Sequence, residues 1–168
     1  MPRAAASADR RETPTLDYRS RRSLDRLLGD LDDDRQQDRE RDRQQRIRNA
    51  GHVVQFERAK RDLLRPAVRD LMARLEERGH AARLVEPKPT KLRVEVLLQA
   101  AAPLRGLVEA ELDEASGNVW FRARRQGSSI GERALTVAEL NESSVAGVLV
   151  EMLRALTEAP PPAPTRPW

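Results

Sequence analysis

Three segments between residues 91 and 125 alternate apolar and polar side chains, and this alternation constrains the fold more than any other feature. The apolar positions are Leu92, Val94, Val96 and Leu98, then Val108, Ala110 and Leu112, then Val119, Phe121 and Ala123. Because successive side chains of a strand point to opposite faces, each segment predicts a strand with one buried face. The predicted strands cover about 91–99, 104–112 and 119–125.

The connections between these segments predict an antiparallel meander. ASGN at 115–118 is a turn signal, and QAAAP separates the first two strands. Folding the chain about ASGN places Glu109 opposite Arg122, and the same construction across QAAAP brings Arg93 beside Glu109. The apolar residues then share one face while opposite charges meet on the other, so two independent requirements agree.

Helical spacing flanks the strands on both sides. Before them, one apolar stripe predicts a helix over about 55–78 that ends near Gly79: Phe56, Ala59, Leu63, Leu64, Ala67, Val68, Leu71, Met72 and Leu75. Pro66 predicts a kink near residues 62–65 or a new helix that starts there. After them, a second stripe predicts a helix over about 142–158 with Asn141 or Ser143 as its cap: Val145, Val148, Leu149, Met152, Leu153 and Leu156.

These elements predict an α+β domain over residues 51–158. Two helices would cover one face of a three- or four-stranded antiparallel sheet, which is a stable two-layer arrangement. The fourth element, at 133–139, reads as a strand or as a short turn of helix, and GSSIGER before it as a loop. An extended, charged N-terminal arm precedes this domain.

The N-terminal arm divides into two predicted parts. Residues 1–22 have few apolar side chains and include Pro2 and Pro14, so they predict a disordered tail. Within residues 23–50, a short amphipathic helix capped by Ser23 carries four leucines at i, i+3, i+4 and i+7: Leu24, Leu27, Leu28 and Leu31. The rest, LDDDRQQDRERDRQQR at 31–46, predicts a charged tether or an exposed helix.

Terminal prolines set the other boundary of the domain. Residues 159–168, APPPAPTRPW, predict a Pro-rich tail that samples polyproline II, because proline donates no backbone hydrogen bond. Its P-x-x-P-x-R pattern fits a ligand for an aromatic groove, or the tail is inert.

The residues that carry enzyme chemistry are largely missing. The chain has no cysteine, which excludes disulfides and thiolate sites, and its two histidines, His52 and His80, have no carboxylate at ligand spacing. Ser128 and Ser129 lack the G-x-S-x-G frame. Arginines predicted beside Glu109 would keep it ionised and unsuited to general acid catalysis. We therefore predict no catalytic residue, no metal site and no cofactor, and a chain that is not an enzyme.

The predicted cellular location rests on the lengths of the apolar segments in the sequence. No segment approaches the roughly 18 apolar residues that a membrane span requires. The start of the chain lacks the continuous apolar region of a signal peptide. We predict a cytoplasmic protein with no membrane partner.

The remaining features favour binding. The leucine helix predicts docking to a protein partner, self-association, or packing on its own domain, and its leucines are the candidate partner-binding residues. A small interaction or adaptor protein is the predicted function. The alternative is a nucleic-acid-associated protein that uses the basic N-terminal tail and an Arg-rich strand: Trp120, Arg122, Arg124 and Arg125. Against it, the net charge of +4 is a small difference between 31 basic and 27 acidic residues.

Overall fold

Asp17 caps a long helix at the start of the described chain. In a computed structural model that describes residues 17–100 and 103–158, helix α1 runs from Tyr18 to Ala59. The backbone N–H of Ser20 donates to the Asp17 carboxylate at 2.8 Å, which is the geometry of an N-cap. The predicted helix start at Ser23 was therefore wrong. The helix begins at Tyr18, and the Asp17 carboxylate caps its first turn.

The predicted tether is helical. Residues 32–50 belong to α1, so the alternative of an exposed helix is the one the structure contains. Pairs at i,i+3 support it, including Arg35 with Asp32 at 3.6 Å and Arg41 with Asp38 at 3.5 Å. Of the predicted disordered tail at 1–22, residues 1–16 lie outside the described residues and residues 18–22 are helical. The Pro-rich tail at 159–168 also lies outside them.

Two compact units divide the chain, the first ending at Arg43 and the second beginning at Gln44. The first contains the four leucines at positions 24, 27, 28 and 31. The second contains the sheet and the helices that cover it, and it is the α+β domain.

A π-helical turn separates α1 from the next helix. It spans Lys60–Leu64, and α2 follows over Arg65–Glu77 with Pro66 in its first turn. A wider turn accommodates the proline ring, which would otherwise clash with the carbonyl of Asp62 four residues earlier. Gly79 adopts φ +79° after α2, where its N–H donates to the Glu76 carbonyl at 2.9 Å. The predicted irregularity before Pro66 and the Gly79 terminator are both present.

Within the described residues, five strands form one antiparallel sheet in which chain neighbours are also sheet neighbours. They are β1 (Ala81–Lys88), β2 (Lys91–Leu98), β3 (Leu104–Asp113), β4 (Asn118–Arg125) and β5 (Ser128–Thr136), and α3 (Glu142–Glu158) follows. The register pairs Arg93 with Glu109 and Glu109 with Arg122, as predicted. The α+β class is confirmed.

The predicted strand count of three or four was too low. Strand β1 escaped prediction because it is an edge strand with no fully buried residue and with Pro87 near its end, so it shows no clear alternation. Strand β5 begins at Ser128, inside the predicted GSSIGER loop, and is irregular opposite Ala123 and Arg124. The end of the predicted element at 133–139 is instead a 3₁₀ turn over Val137–Glu139.

The core lies between the inner face of the sheet and the helices. Its largest fully buried apolar side chains come from both layers: Phe56, Leu64, Val68, Val94, Val119, Phe121, Val145, Met152 and Leu156. Asn141 caps α3, because its side-chain oxygen accepts from the Ser144 N–H at 2.9 Å. Every apolar strand position named from the alternation is buried.

Candidate functional site

Four leucines of α1 form an exposed apolar stripe within the first unit. Leu24, Leu27, Leu28 and Leu31 are 43%, 60%, 49% and 53% exposed, and we call these four residues the leucine stripe. Helical spacing puts them on one side of α1. A monomeric helix rarely leaves four neighbouring leucines this accessible, so the stripe is a candidate binding surface.

Charged side chains organise the outer face of the sheet, which is the face opposite the core. Sheet register places Arg93, Glu109, Arg122 and Glu132 side by side on four consecutive strands. Along this row, positive and negative side chains therefore alternate from strand to strand. This row contains the candidate nucleic-acid residue Arg122 and both predicted neighbours of Glu109.

Glu109 is the centre of the outer face, and it is only 1% exposed. Arg93 Nη2 lies 2.9 Å from its carboxylate, and Lys91 Nζ and Arg124 Nε each lie 3.2 Å from it. The Arg124 contact lacks hydrogen-bond geometry, and neither Arg124 Nε nor Glu109 Oε2 has a hydrogen-bond partner. Three cations thus surround one buried carboxylate.

Opposing effects set the pKa of Glu109. Burial raises it, but hydrogen bonds from Lys91 and Arg93 and the nearby charges of Lys91 and Arg124 outweigh that effect, so the pKa lies below its ordinary value. Glu109 is therefore ionised at neutral pH. An ionised carboxylate here neutralises the surrounding cations and is poorly suited to donate a proton.

The structure brings three of the four candidate nucleic-acid residues to one face. Trp120, Arg122 and Arg124 alternate with the core residues of β4, and the Arg122 guanidinium lies 5.5 Å from the Trp120 ring centre. Arg122 lies opposite Glu109 in the register, as predicted, but its guanidinium forms its ion pairs with Glu132 at 2.6 Å and with Glu111 at 3.4 Å. Strand alternation sends Arg125 to the other face.

Lys60 is a buried charge that sequence reasoning missed. It is 2% exposed in the π-helical turn, and its ammonium donates to the Glu57 carboxylate and to the Pro89 carbonyl, both at 2.7 Å. Glu86 lies 3.5 Å away and is also held by two hydrogen bonds from Arg65. The sequence feature that could have identified Lys60 is its position on the apolar stripe, four residues after Phe56 and four before Leu64. These contacts fasten the β1–β2 hairpin to the helical layer.

Both histidines have structural partners. His52 Nδ1 lies 2.8 Å from the Glu114 carbonyl oxygen, and His80 Nδ1 accepts a hydrogen bond from the Gln99 N–H at 3.1 Å. Within residues 17–100 and 103–158, no group of three or more His, Asp or Glu side chains is arranged to hold a metal ion. Over those same ranges, no helix is sufficiently long and apolar to cross a lipid bilayer.

Shallow depressions interrupt the surface of the second unit, and two of them combine apolar and charged lining residues. One, of about 460 Å³, lies on the outer face of the sheet and is lined by Ala81, Leu97 and Leu107 together with Arg83, Glu95 and Arg105. The other, of about 510 Å³, lies between α2 and α3 and includes Leu71 and the 55%-exposed Val150. Both combine apolar floors with charged rims.

Comparison with known proteins adds no assignment: no family model, curated protein or solved structure matches this chain.

Proposed function

We propose that this chain is a non-enzymatic interaction or adaptor protein that docks through the leucine stripe. The observation that carries the proposal is the exposure of all four leucines, which ranges from 43% to 60%. Covering apolar surface contributes about 25 cal/mol per Å², so a complementary surface would gain substantially by covering the stripe. Helix-in-groove recognition uses this i, i+3, i+4, i+7 arrangement of anchors.

The second unit supplies a separate surface for a further partner. Its depression of about 460 Å³ on the outer sheet face offers Leu97 and Leu107 within a charged rim. An apolar centre with a polar rim is the usual composition of a protein-binding patch. Two surfaces on two units are what an adaptor requires.

Nucleic-acid binding through the Arg-rich strand has weaker support. Arg122 and Arg124 each lie within 3.2 Å of a carboxylate, so a phosphate would have to compete with Glu109 and Glu132. The acidic partners would also repel a polyanion.

Affinity capture with the full-length chain tests the docking proposal. We expect the variant Leu27→Asp with Leu28→Asp to lose the proteins that the wild-type chain retains, because two buried charges would replace the apolar anchors. The matched control is Ile47→Asp with Val54→Asp, which places the same charges at positions 63% and 69% exposed on the same helix. Equal capture by the stripe variant and the wild-type chain would contradict the proposal.

Nuclease treatment of half of each sample separates the two functions. Docking through leucines is insensitive to nuclease. If nuclease releases the captured proteins, and Arg122→Glu with Arg124→Glu prevents their capture, the nucleic-acid alternative is the correct one.

A further inference from the structure

We propose that the Pro-rich segment at residues 159–168 runs back along α3 and binds in the depression between α2 and α3. Both the segment and the depression belong to the second unit, so this contact does not depend on docking through the leucine stripe. Residues 159–168 lie outside the described residues, and their position is inferred from the surface of the groove and from the length and charge of the segment. The chain would thus supply the ligand of its own groove.

The depression between α2 and α3, which we call the helical groove, presents apolar surface to solvent. Its volume is about 510 Å³. Val150 is 55% exposed there, although its chain neighbour Leu149 is only 5% exposed. The apolar lining comes from both helices and includes Pro66, Ala67, Leu71, Ala146, Leu149 and Val150. An extended apolar segment would therefore remove surface from water by lying in the groove.

An uncharged path on α3 leads from the end of this helix to the groove. Four uncharged residues and then one carboxylate follow each other at helical spacing on one side of α3: Thr157, Leu153, Val150, Ala146 and Glu142. Arg154 borders the path, but it already lies 3.8 Å from Glu158 on the same helix. A segment that leaves the end of α3 and turns back thus reaches the groove without crossing an unpaired charge.

The composition of the segment suits an extended ligand. Pro160, Pro161 and Pro162 cannot continue α3, because proline donates no backbone hydrogen bond and the residue before a proline avoids the helical conformation. Consecutive prolines favour polyproline II, which has no internal hydrogen bonds to break on binding. Direct attachment to the groove wall also gives the segment an effective concentration of about millimolar, so even a weak contact is occupied.

The length of the segment matches the distance that it would cover. Glu142 lies sixteen residues before Glu158, which is about 24 Å along the axis of α3. Arg166 lies eight residues after Glu158, which is about 25 Å in polyproline II. A segment that runs antiparallel to α3 therefore brings Arg166 close to the level of Glu142. The long arginine side chain covers the distance that the reversal of the chain uses.

Glu142 supplies the charge that Arg166 requires. Arg166 is the only charged residue of the segment. Among the described residues, the Glu142 side chain forms no ion pair, whereas Asp62 and Asp70 in the same groove already pair with neighbouring arginines. The full charge of this carboxylate exceeds the partial positive charge of about one half at the start of α3. Charge complementarity thus favours the same end of the groove that the length does.

Paramagnetic labelling of the full-length chain tests the position of the segment, and the absence of native cysteine makes the label specific. A nitroxide on Thr165→Cys broadens the amide NMR signals of nearby residues. We expect stronger broadening at Glu142 and Ala146 than at Arg154 and Thr157, although the last two are closer to the label in sequence. Broadening that decays steadily from Thr157 towards Glu142 would overturn the proposal.

A second label position tests the direction of the segment. Ala163 lies about 15 Å beyond Glu158 in polyproline II, which corresponds to about ten residues of α3. With the nitroxide on Ala163→Cys, the strongest broadening should therefore move from Glu142 to the neighbourhood of Leu149. A maximum at the same residue for both labels would contradict an extended segment antiparallel to α3.

Variants of the labelled chain test the two sides of the contact. Val150→Asp puts a charge into the apolar groove, and Arg166→Glu turns the attraction to Glu142 into repulsion, so both should lose the excess broadening at Glu142. The matched control is Gly147→Asp, which places the same charge on α3 but outside the groove, beside Arg133. This control should keep the broadening. Equal broadening in the wild-type and Val150→Asp chains would show that the segment does not occupy the groove.

Mixed samples determine which copy supplies the segment. When a chain labelled with ¹⁵N and carrying no nitroxide is mixed with a ¹⁴N chain carrying the nitroxide, only contacts between copies broaden the signals. We expect no broadening at Glu142 in this sample. Broadening there would identify the segment of a second copy as the occupant and would overturn the intramolecular contact.

Discussion

Arg93 and Glu109 face each other across β2 and β3, and the Arg93 guanidinium donates from Nε and Nη2 to a single carboxylate oxygen at 3.1 and 2.9 Å. Lys91 and Arg124 hold the same carboxylate, so one buried anion orders three cations on the outer face. The contact joins three consecutive strands, because Lys91 and Arg93 belong to β2 and Arg124 to β4.

Replacing Glu109 by glutamine should destabilise the second unit by about 3 kcal/mol, since removal of one partner leaves the other charges uncompensated. We take the lower end of the usual range because the Arg93 and Arg124 side chains are 33% and 39% exposed and partly solvated. Urea unfolding followed by circular dichroism measures the loss. Glu95→Gln, an exposed position on the same face, is the control and should change stability little.

Acid should remove the contribution of Glu109. Its pKa in the folded protein lies below the ordinary value of 4.5, so the folded state binds this proton less readily than the unfolded state does. The stabilisation is therefore complete above pH 4.5 and is lost as the pH falls through the lower, folded pKa. Measured from pH 7 to pH 2, the difference in unfolding free energy between wild type and Glu109→Gln should narrow below pH 4.5. A constant difference would contradict this account.

Gly106→Ala should destabilise the core by about 1–3 kcal/mol through overpacking. A Cβ at position 106 would lie 2.5 and 2.8 Å from the two terminal carbons of Leu156, which is fully buried and has no solvent to move into. Gly147→Ala in α3 is the matched control, because its Cβ would meet nothing within 4 Å. There the loss of backbone freedom should instead stabilise the helix by roughly 0.5–1 kcal/mol. Thermal unfolding of both variants should show shifts of opposite sign.

Gly117→Ala should carry two separable penalties. Gly117 has φ +72°, and a Cβ there would lie 2.9 Å from His52 Nε2. In the wild-type background we expect a loss of about 2 kcal/mol from strain and clash together. In a His52→Ala background only the backbone strain should remain, about 1 kcal/mol. A double-mutant cycle measures the difference, and additive effects would show that His52 does not pack against this turn.

Lys60→Met should cost about 1–3 kcal/mol, because the Pro89 carbonyl would lose its buried donor. Glu86 keeps the two hydrogen bonds from Arg65 and needs no new partner. Arg61→Met, at the neighbouring exposed position, is the control. Amide exchange in the β1–β2 hairpin is the sensitive measurement, since the Lys60 contacts fasten that hairpin, and unchanged exchange there would refute this role.

The central sheet could be predicted because its alternation and its charges impose the same register. The register that pairs Glu109 with Arg93 and Arg122 followed from the connections QAAAP and ASGN. The same register had to place the apolar residues on one face of the sheet and opposite charges next to each other on the other face. Of the ion pairs on this face, the one between Arg93 and Glu109 was predicted. The others could not be predicted, because Lys91 and Arg124 reach Glu109 diagonally and Arg122 turns to Glu132. Such choices depend on side-chain reach, which strand alternation does not encode.

Regions without a buried face were harder to predict. Strand β1 is an edge strand with no fully buried residue, and α1 between Asp32 and Arg43 has no apolar residue to reveal its period. For α1, favourable i,i+3 and unfavourable i,i+4 charge pairs nearly cancel in the sequence, so local pairing could not decide between tether and helix. The leucine stripe was identified from its spacing, although its exposure became known only from the structure.

The order of the five strands has a consequence for biogenesis. Every strand pairs with the one made immediately before it, so hairpins can close in sequence as the polypeptide leaves the ribosome, with little loop entropy to overcome. Helix α3, which supplies Val145, Met152 and Leu156 to the core, is synthesised after all of them. Until α3 emerges, the apolar face of the nascent sheet remains partly exposed to solvent. A chaperone would be most useful during that interval.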